Sequence, residues 1–290
     1  MIAAALLSLA AASAPHAHAD EMPKSCGNCA AWNAPRAPFK IHGSTYYVGV
    51  DGLSAVLVAS PQGHILIDGG LPQSAAQIAG NIEALGFRIG DVKWLLNSHA
   101  HYDHVGGLAA LQRMSGARVA ASPESGQALQ AGNSLPSDPQ AGYGDFMKFP
   151  ALGPVKQIGD GDSIVLGGNV VSAVFTPGHS PGGTSWSWPS CEAGMCVSIV
   201  FADSLNPVSD DTYRFSAHPG YLKAFRQSID TVRGLKCDIL ISAHPGFSNL
   251  FERAEAKAFG DDHACRRYAD DAEARLAKRL AEEAAPAKPD

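Results

Sequence analysis

Within six residues, His99-Ala100-His101-Tyr102-Asp103-His104, the chain places three imidazoles and one carboxylate. Imidazole and carboxylate together suit zinc, which takes N, O or S ligands in roughly tetrahedral sites. His99 and His101, two residues apart, can turn to one ion, while Asp103 and His104 turn to a second position beside it. Two later histidines stand in matching places. His179 sits on a Pro/Gly turn, Thr176-Pro177-Gly178-His179, and His244 ends an apolar run, Ile239-Leu240-Ile241-Ser242-Ala243-His244. Chance histidines on a polar loop do not account for such partners. The expected donor sets are His99, His101 and His179 for one ion, and Asp103, His104 and His244 for another.

Donors on loops need rigid elements on both sides. An apolar strand is predicted over 92–96 and a helix from 108 onward, so the first cluster lies on a strand-to-helix loop. Gly106 and Gly107 let the backbone pass close to the helix start. Strands over 170–175 and 238–242 lead to His179 and His244. Ahead of the cluster, strands are predicted over 45–50, 54–58 and 63–70, then a helix over 72–85 with proline near its first turn. After it come a strand over 117–121, a helix over 123–131, strands over 163–166, 184–188 and 197–202, and helices over 220–232 and 264–284. The span 132–150, full of Gly, Pro, Asp and Ser, is too long for a plain connection and is expected to form one wall of the substrate cleft. Two strand-rich halves, each ending in helices, predict helix, sheet, sheet, helix layers in an α/β (α+β) fold.

With 290 residues and 46% hydrophobic content the chain can bury one large core, and a single domain over 20–290 is expected. The net charge of −6 without a basic cluster excludes nucleic acid and anionic membrane as natural partners. Residues 2–14 are almost wholly apolar, and Ala17-His18-Ala19 offers a small-x-small cleavage site. Residues 1–19 are therefore read as a secretory signal peptide, although no Lys or Arg precedes the apolar stretch. The expected location is the periplasm, with no membrane anchor after processing. No later segment has the unbroken run of about 20 apolar residues that a spanning helix needs.

An oxidising compartment changes how six cysteines are read. Cys191 and Cys196 flank a turn, where a short disulfide fits. A bridge from Cys237 to Cys265 would pin the last helix to the core. Cys26 and Cys29 form a C-x-x-C without the βαβ context of a redox motif and without nearby partners for zinc, so a tight structural disulfide is preferred.

The donor sets suggest hydrolysis. A water between two zinc ions has its pKa lowered toward about 7, so a zinc-bound hydroxide can attack a carbonyl carbon with no covalent acyl-enzyme. One ion then takes the oxyanion and the other steadies the leaving group. Asp103 and His179, with that hydroxide, are the expected catalytic groups, and Ser98 is read as packing rather than as a nucleophile. Asp68, ending a buried strand, must be paired, and the free N–H of a metal-binding histidine is the expected partner. His42, His64, His218 and His263 lack partners at metal spacing and are read as structural, while His16 and His18 lie in the leader.

The H-x-H-x-D-H pattern with His179 and His244 resembles the metallo-β-lactamase superfamily, and the resemblance covers roughly 32–280. It implies an αββα sandwich with metals at one edge. The absence of a cysteine donor from the second set, together with Pro177-Gly178-His179, Phe201-Ala202-Asp203-Ser204-Leu205 and the aromatic stretch Thr184-Ser185-Trp186-Ser187-Trp188, is similar to the third subclass of these enzymes. That resemblance implies two Zn2+ per chain and hydrolysis of the β-lactam amide of penicillins, cephalosporins and carbapenems by a monomer, hence antibiotic resistance. It also implies that Ser204 holds the substrate carboxylate. Asn206 stands where the family often has Ser or Thr, and Gln140 matches a glutamine lining the cleft in some members. The rival on the same fold is a glyoxalase II-type thioesterase, which needs an aspartate bridging both metals; Asp203 is the candidate here. Lactonase activity is a further alternative. A non-catalytic zinc protein is disfavoured, because three-donor sites leave coordination positions open.

Overall fold

The computed structural model describes residues 22–285, so the expected leader over 1–19 lies outside the described residues. Seven strands form the first sheet in sequence order: β1 (Phe39–His42), β2 (Thr45–Tyr47), β3 (Val56–Val58), β4 (His64–Ile67), β5 (Val92–Leu96), β6 (Arg118–Ala121) and β7 (Val155–Gln157). The second sheet holds β8 (Ser163–Leu166), β9 (Asn169–Phe175), β10 (Thr184–Glu192), β11 (Met195–Ala202) and β12 (Ile239–Ser242), in the order β12-β11-β10-β9-β8. The helices are α1 (Cys29–Trp32), α2 (Ala75–Ala84), α3 (Tyr102–Val105), α4 (Leu108–Ser115), α5 (Pro123–Ala131), α6 (Pro219–Gly234), α7 (Leu250–Glu255) and α8 (Ala264–Ala284).

Side chains alternate across a strand, and here both faces of the central strands are covered. On β4, Ile65 and Ile67 enter the core between the sheets, while Leu66 joins the core under α2 and α4. On β11, Ile199 and Phe201 point to the other sheet, and Val200 and Ala202 pack with Phe225 and Ile229 of α6 and Tyr268 of α8. Three apolar cores thus separate four layers, the expected αββα sandwich. Burial on both faces also explains why these strands read as continuous apolar runs.

Parallel pairing delivers the site. β4 and β5 run parallel with Ile67 opposite Leu96, and β11 and β12 run parallel with Ala202 opposite Ser242. Four strand ends therefore open at one edge of the sandwich. Cross-sheet hydrogen bonds fasten that edge: Thr184 N donates to Ser98 O (2.7 Å), Trp186 Nε1 to Asn97 O (2.9 Å), and Ser54 Oγ to Ser242 O (2.7 Å).

Several boundaries differ from the sequence reading. The strand expected over 45–50 stops at Tyr47, because Val48 and Val50 pair with Ala55 and Leu53 across a turn. The helix expected over 72–85 opens as a 3-10 turn, Pro72–Ser74, before α2. β1, β7, α1, α3 and α7 were not legible. β1 and β7 are three- or four-residue sheet edges with solvent-facing Lys40, Lys156 and Gln157, so neither carries a long apolar signal. β10 runs on past Trp188 through Pro189, which pairs with Ser198 of β11 beyond the last residue paired to β9, where a missing N–H breaks no ladder. The span 132–150 contains 3-10 turns over Ala141–Met147, kinked at Gly144.

Disulfides join Cys26 to Cys29, Cys191 to Cys196 and Cys237 to Cys265, the expected pairs. Among the described residues, no helix is long and apolar enough to cross a membrane.

Candidate metal centre

The backbone around Asp68 is bent for the site. Asp68 follows β4 in the left-handed region, at φ 62°, which a non-glycine residue occupies only when its surroundings hold it there. Gly69 N donates to His104 O (2.7 Å) and Gly107 N to Gly70 O (3.2 Å), drawing the donor loop against the end of β4. A side chain at Gly107 would place its Cβ 2.3 Å from Gly69 O, so the close approach expected there requires glycine. The loop is not irregular throughout: Asp103 and His104 ride on the single turn of α3, which fixes their directions relative to one another.

Each of the five histidines has one ring nitrogen held by an acceptor. His99 Nδ1 donates to Asp203 Oδ1 (2.7 Å), His101 Nε2 to Asp138 Oδ2 (2.9 Å) and His104 Nδ1 to Asp68 Oδ2 (3.2 Å). His179 Nδ1 donates to Asn206 O (2.8 Å) and His244 Nδ1 to Gly52 O (3.1 Å). The acceptors fix the tautomers and leave a lone pair on the opposite nitrogen of every ring. Asp68 is itself satisfied by Ser98, whose N and Oγ donate to it at 2.6 and 2.7 Å. Ser98 is thus bound into the scaffold, as expected, and is not a free nucleophile.

The lone pairs converge. The donor atoms of His99, His101 and His179 lie within 4.8 Å of one another, as do those of His99, Asp103 and His104. His104 Nε2 and His244 Nε2 stand 3.3 Å apart, with Asp103 Oδ2 at 3.5 and 3.6 Å from them. With both rings neutral and their protons on Nδ1, two lone pairs face each other there. His99 Nε2 is buried without a hydrogen-bond partner. A cation relieves both situations, and a set of imidazoles and one carboxylate suits zinc.

Burial pushes His179 down to about 3 and His244 to about 4, and it carries His99 well below its usual range, aided by the neighbouring rings. These are neutral imidazoles, the form that binds metal. At His104 burial is outweighed by Asp103 and Asp68, which favour the protonated ring, so a metal there competes with a proton. Burial opposes the charge on Asp103, yet His104, His244 and His101 draw its pKa below the usual carboxylate range.

His101, Asp103, His179 and His244 line the floor of a cavity of about 810 Å³, with His99 and His104 buried behind them. Ser204, Asn206 and Gln140 all line it. Gln140 Nε2 lies 3.4 Å from His101 Nδ1 and from His179 Nε2, among the converging lone pairs. Asn206 acts through its backbone carbonyl on His179, while its side-chain Oδ1 is buried and unpartnered. Asp203 belongs to neither converging group among the described residues; it is fully buried and accepts from the far nitrogen of His99.

Some site residues were missed. Asp138 accepts from His101 Nε2 and from Gln140 N (2.8 Å); an Asp-Pro turn beside Gln140 was its signal. The carbonyls of Gly52 and Asn206 leave no trace in side-chain type. Trp32, whose ring centroid lies 5.2 Å from that of His244, and Tyr143, Phe146 and Phe247 form the walls.

The family model of the metallo-beta-lactamase superfamily matches residues 48–244. Among solved structures, the chain is similar to the Rm3 metallo-beta-lactamase, at 50% identity and a TM-score of 0.87, covering 89% of this chain and 99% of that one. It is likewise similar to MEM-A1, a subclass B3 metallo-beta-lactamase isolated from a soil metagenome library, at 49% identity and a TM-score of 0.85, covering 87% and 98%. A more distant curated relative is the N-acyl homoserine lactonase AttM of Agrobacterium fabrum, 29% identical over 228 residues, covering 72% of this chain and 78% of that one. The chain spans 34% and 78% of the length of the first two curated relatives it matches. The converging donors, the αββα sandwich and these matches agree, and the chain belongs to the metallo-beta-lactamase superfamily.

Proposed function

We propose that the protein is an exported dinuclear zinc β-lactamase that opens the β-lactam amide of small-molecule antibiotics. The observation that carries this reading is the set of five anchored imidazoles and Asp103 whose free donor atoms converge at the floor of one cavity, which His101, Asp103, His179 and His244 line. His99, His101 and His179 would hold one ion, and Asp103, His104 and His244 the other. Zinc bound there supplies Lewis acidity and a water acidic enough to act as a nucleophile near neutral pH.

The chain's own residues do the rest. Asp203, Asp138 and Asp68 hold the imidazoles in the tautomer that leaves the inward nitrogen bare. Asp103, kept anionic by the rings around it, brings the one negative charge of the donor set. Ser204, on the cavity wall, donates to the carboxylate beside the lactam nitrogen and so places the amide over the donors. Gln140 and Asn206 flank the same space and orient the substrate. The aromatic walls exclude water from one side of the bound molecule.

The position of Asp203 behind His99 favours this reading over the thioesterase, whose bridging carboxylate would have to face both ions. Three disulfides support export to an oxidising compartment, with 1–19 as the leader and the monomer as the working unit. The test is parallel hydrolysis of a penicillin, a carbapenem, a glutathione thioester and an N-acyl homoserine lactone by purified protein, with metal analysis. About two zinc ions per chain and turnover of the lactams, lost on chelation and restored by zinc, are the expected result. Turnover of the thioester or the lactone alone would replace the reading with one of the alternatives.

A further inference from the structure

One wall of the cleft is held from outside by a residue that touches none of the donor atoms. The segment 22–28 has no regular structure, yet it is tied down at Lys24 and at Cys26. Lys24 N donates to Gln73 Oε1 and Gln73 Nε2 donates back to Lys24 O, each at 2.9 Å. Further along, the Cys26–Cys29 disulfide leads into α1, and Asn33 Oδ1 accepts from Ser74 Oγ (2.6 Å). The segment is thus pinned to the 3-10 turn ahead of α2.

From this base the Lys24 side chain reaches the cleft wall. Its ammonium donates to Phe146 O and to Lys148 O (3.3 Å), carbonyls at the end of the 3-10 segment Ala141–Met147. Helical ends leave such carbonyls without partners, and a cation satisfies them. The same ammonium lies 4.8 Å from the Tyr102 ring centroid and 4.6 Å from that of Phe146, and the two rings meet edge to face at 5.0 Å. Tyr102 stands in the chain between the donors His101 and Asp103. Elsewhere on this wall, Tyr143 Oη donates to Ser209 O (2.7 Å) and Gly142 N to Asp210 Oδ2 (3.0 Å) ahead of the Gly144 kink, while beyond it Met147 and Phe149 are buried in the core and Phe149 N donates to Gly132 O (3.0 Å). Phe146 itself stays exposed between these anchors, and the Lys24 ammonium is what joins its carbonyl and its ring to the Tyr102 ring of the donor helix.

We infer that Lys24 is a positioning residue that latches the aromatic wall at Phe146 onto Tyr102, and so sets how the cleft receives the substrate substituent that projects away from the donors. The kinetic part rests on the β-lactamase reading; the latch itself does not. A penicillin with a phenylacetyl substituent reaches the wall, whereas a carbapenem with its small hydroxyethyl group stays nearer the floor.

The test compares wild type with Lys24→Met and Lys24→Arg, full-length and zinc-loaded, by amide hydrogen exchange and by kinetics on both lactams. In Lys24→Met, exchange over 145–149 should quicken about tenfold or more, since local opening sets that rate, while β5 and β11 keep their protection. The penicillin KM should rise about fivefold, with both kcat values and the carbapenem KM within about twofold of wild type, the pattern of binding lost away from the reacting bond. Lys24→Arg, which keeps the charge and the donors, should restore both readouts. Unchanged exchange over 145–149, exchange raised equally throughout the sandwich, or equal KM increases for both lactams would overturn the latch. If neither lactam is hydrolysed but exchange over 145–149 alone quickens, the latch stands and the β-lactamase reading falls.

Discussion

His104 and Phe247 both stand beside His244, under very different constraints. His104 is buried, with Nδ1 on Asp68 and Nε2 turned to the other donors, and Asp68 is held in turn by Ser98. Phe247 is 43% exposed and stands in the 3-10 turn just after His244. The floor of the cleft is a chain of buried hydrogen bonds in which each group leaves one productive orientation to the next. The rim, with Tyr143, Phe146, Val208 and Phe247, is apolar surface on short turns. A buried network loses much when one member is removed, whereas a half-exposed side chain gives up only its own contact.

The sharpest way to break this comparison is at Asp103. Asp103→Ala removes the carboxylate set between His104 and His244 at 3.5 and 3.6 Å. The zinc content should fall from about two toward one per chain, and kcat should fall by more than the roughly 10–100-fold that supporting partners cost. Circular dichroism should show the fold retained, because Asp103 sits at the cleft floor and not in an apolar core. Near-normal turnover with both metals kept would show that Asp103 is no donor.

One step outward, Asp138→Ala leaves His101 Nε2 and Gln140 N without their acceptor. A loss of about 10–100-fold in metal affinity or activity is expected, typical of the partners that orient metal-binding histidines. Asp138→Asn keeps an acceptor and should lose less. Equal losses in the two variants would point to the charge, not to the orientation of His101.

How much of this was legible in the sequence follows the same division. The six donors stood out because metal binding needs particular side-chain types, and His99 to His104 crowd four of them into one stretch. The apolar runs of β4, β5, β11 and β12 gave the sandwich, since burial on both faces writes itself as unbroken hydrophobicity. The carbonyls of Gly52 and Asn206 were hidden because every residue carries a carbonyl. Asp138 was hidden because an aspartate before proline also reads as a plain turn. Lys24 was hidden for a related reason: one lysine in a polar stretch gives no sign of a partner 122 residues away.

Between floor and rim lies Ser204, nearly buried yet lining the cavity. A hydrogen bond from its hydroxyl to a substrate carboxylate is worth roughly 1.5–3 kcal/mol. Ser204→Ala should raise the lactam KM about tenfold or more with kcat less affected. Its counterpart Asp203→Asn should weaken the hold on His99 and retain both metals; loss of a zinc would instead favour a bridging carboxylate and the thioesterase. An unchanged lactam KM in Ser204→Ala would remove the assigned carboxylate contact.

The smallest effect is expected at Phe247. Its ring centroid lies 6.3 Å from that of His244 at 82°, and the Arg275 guanidinium sits 5.0 Å from it. Neither contact holds His244 in place, because that ring is fixed by its bond to Gly52 O and flanked by Trp32. Phe247→Ala therefore removes apolar contact with the substrate and a cation–π contact worth about 0.5–1 kcal/mol at an exposed site. KM should rise only about two- to fivefold, for lactams with bulky apolar substituents in particular, with zinc content and kcat unchanged. Equilibrium dialysis of zinc alongside the kinetics decides it. If Phe247→Ala loses metal, or loses as much activity as Asp138→Ala, then the rim holds the floor in register and the two regions are one network.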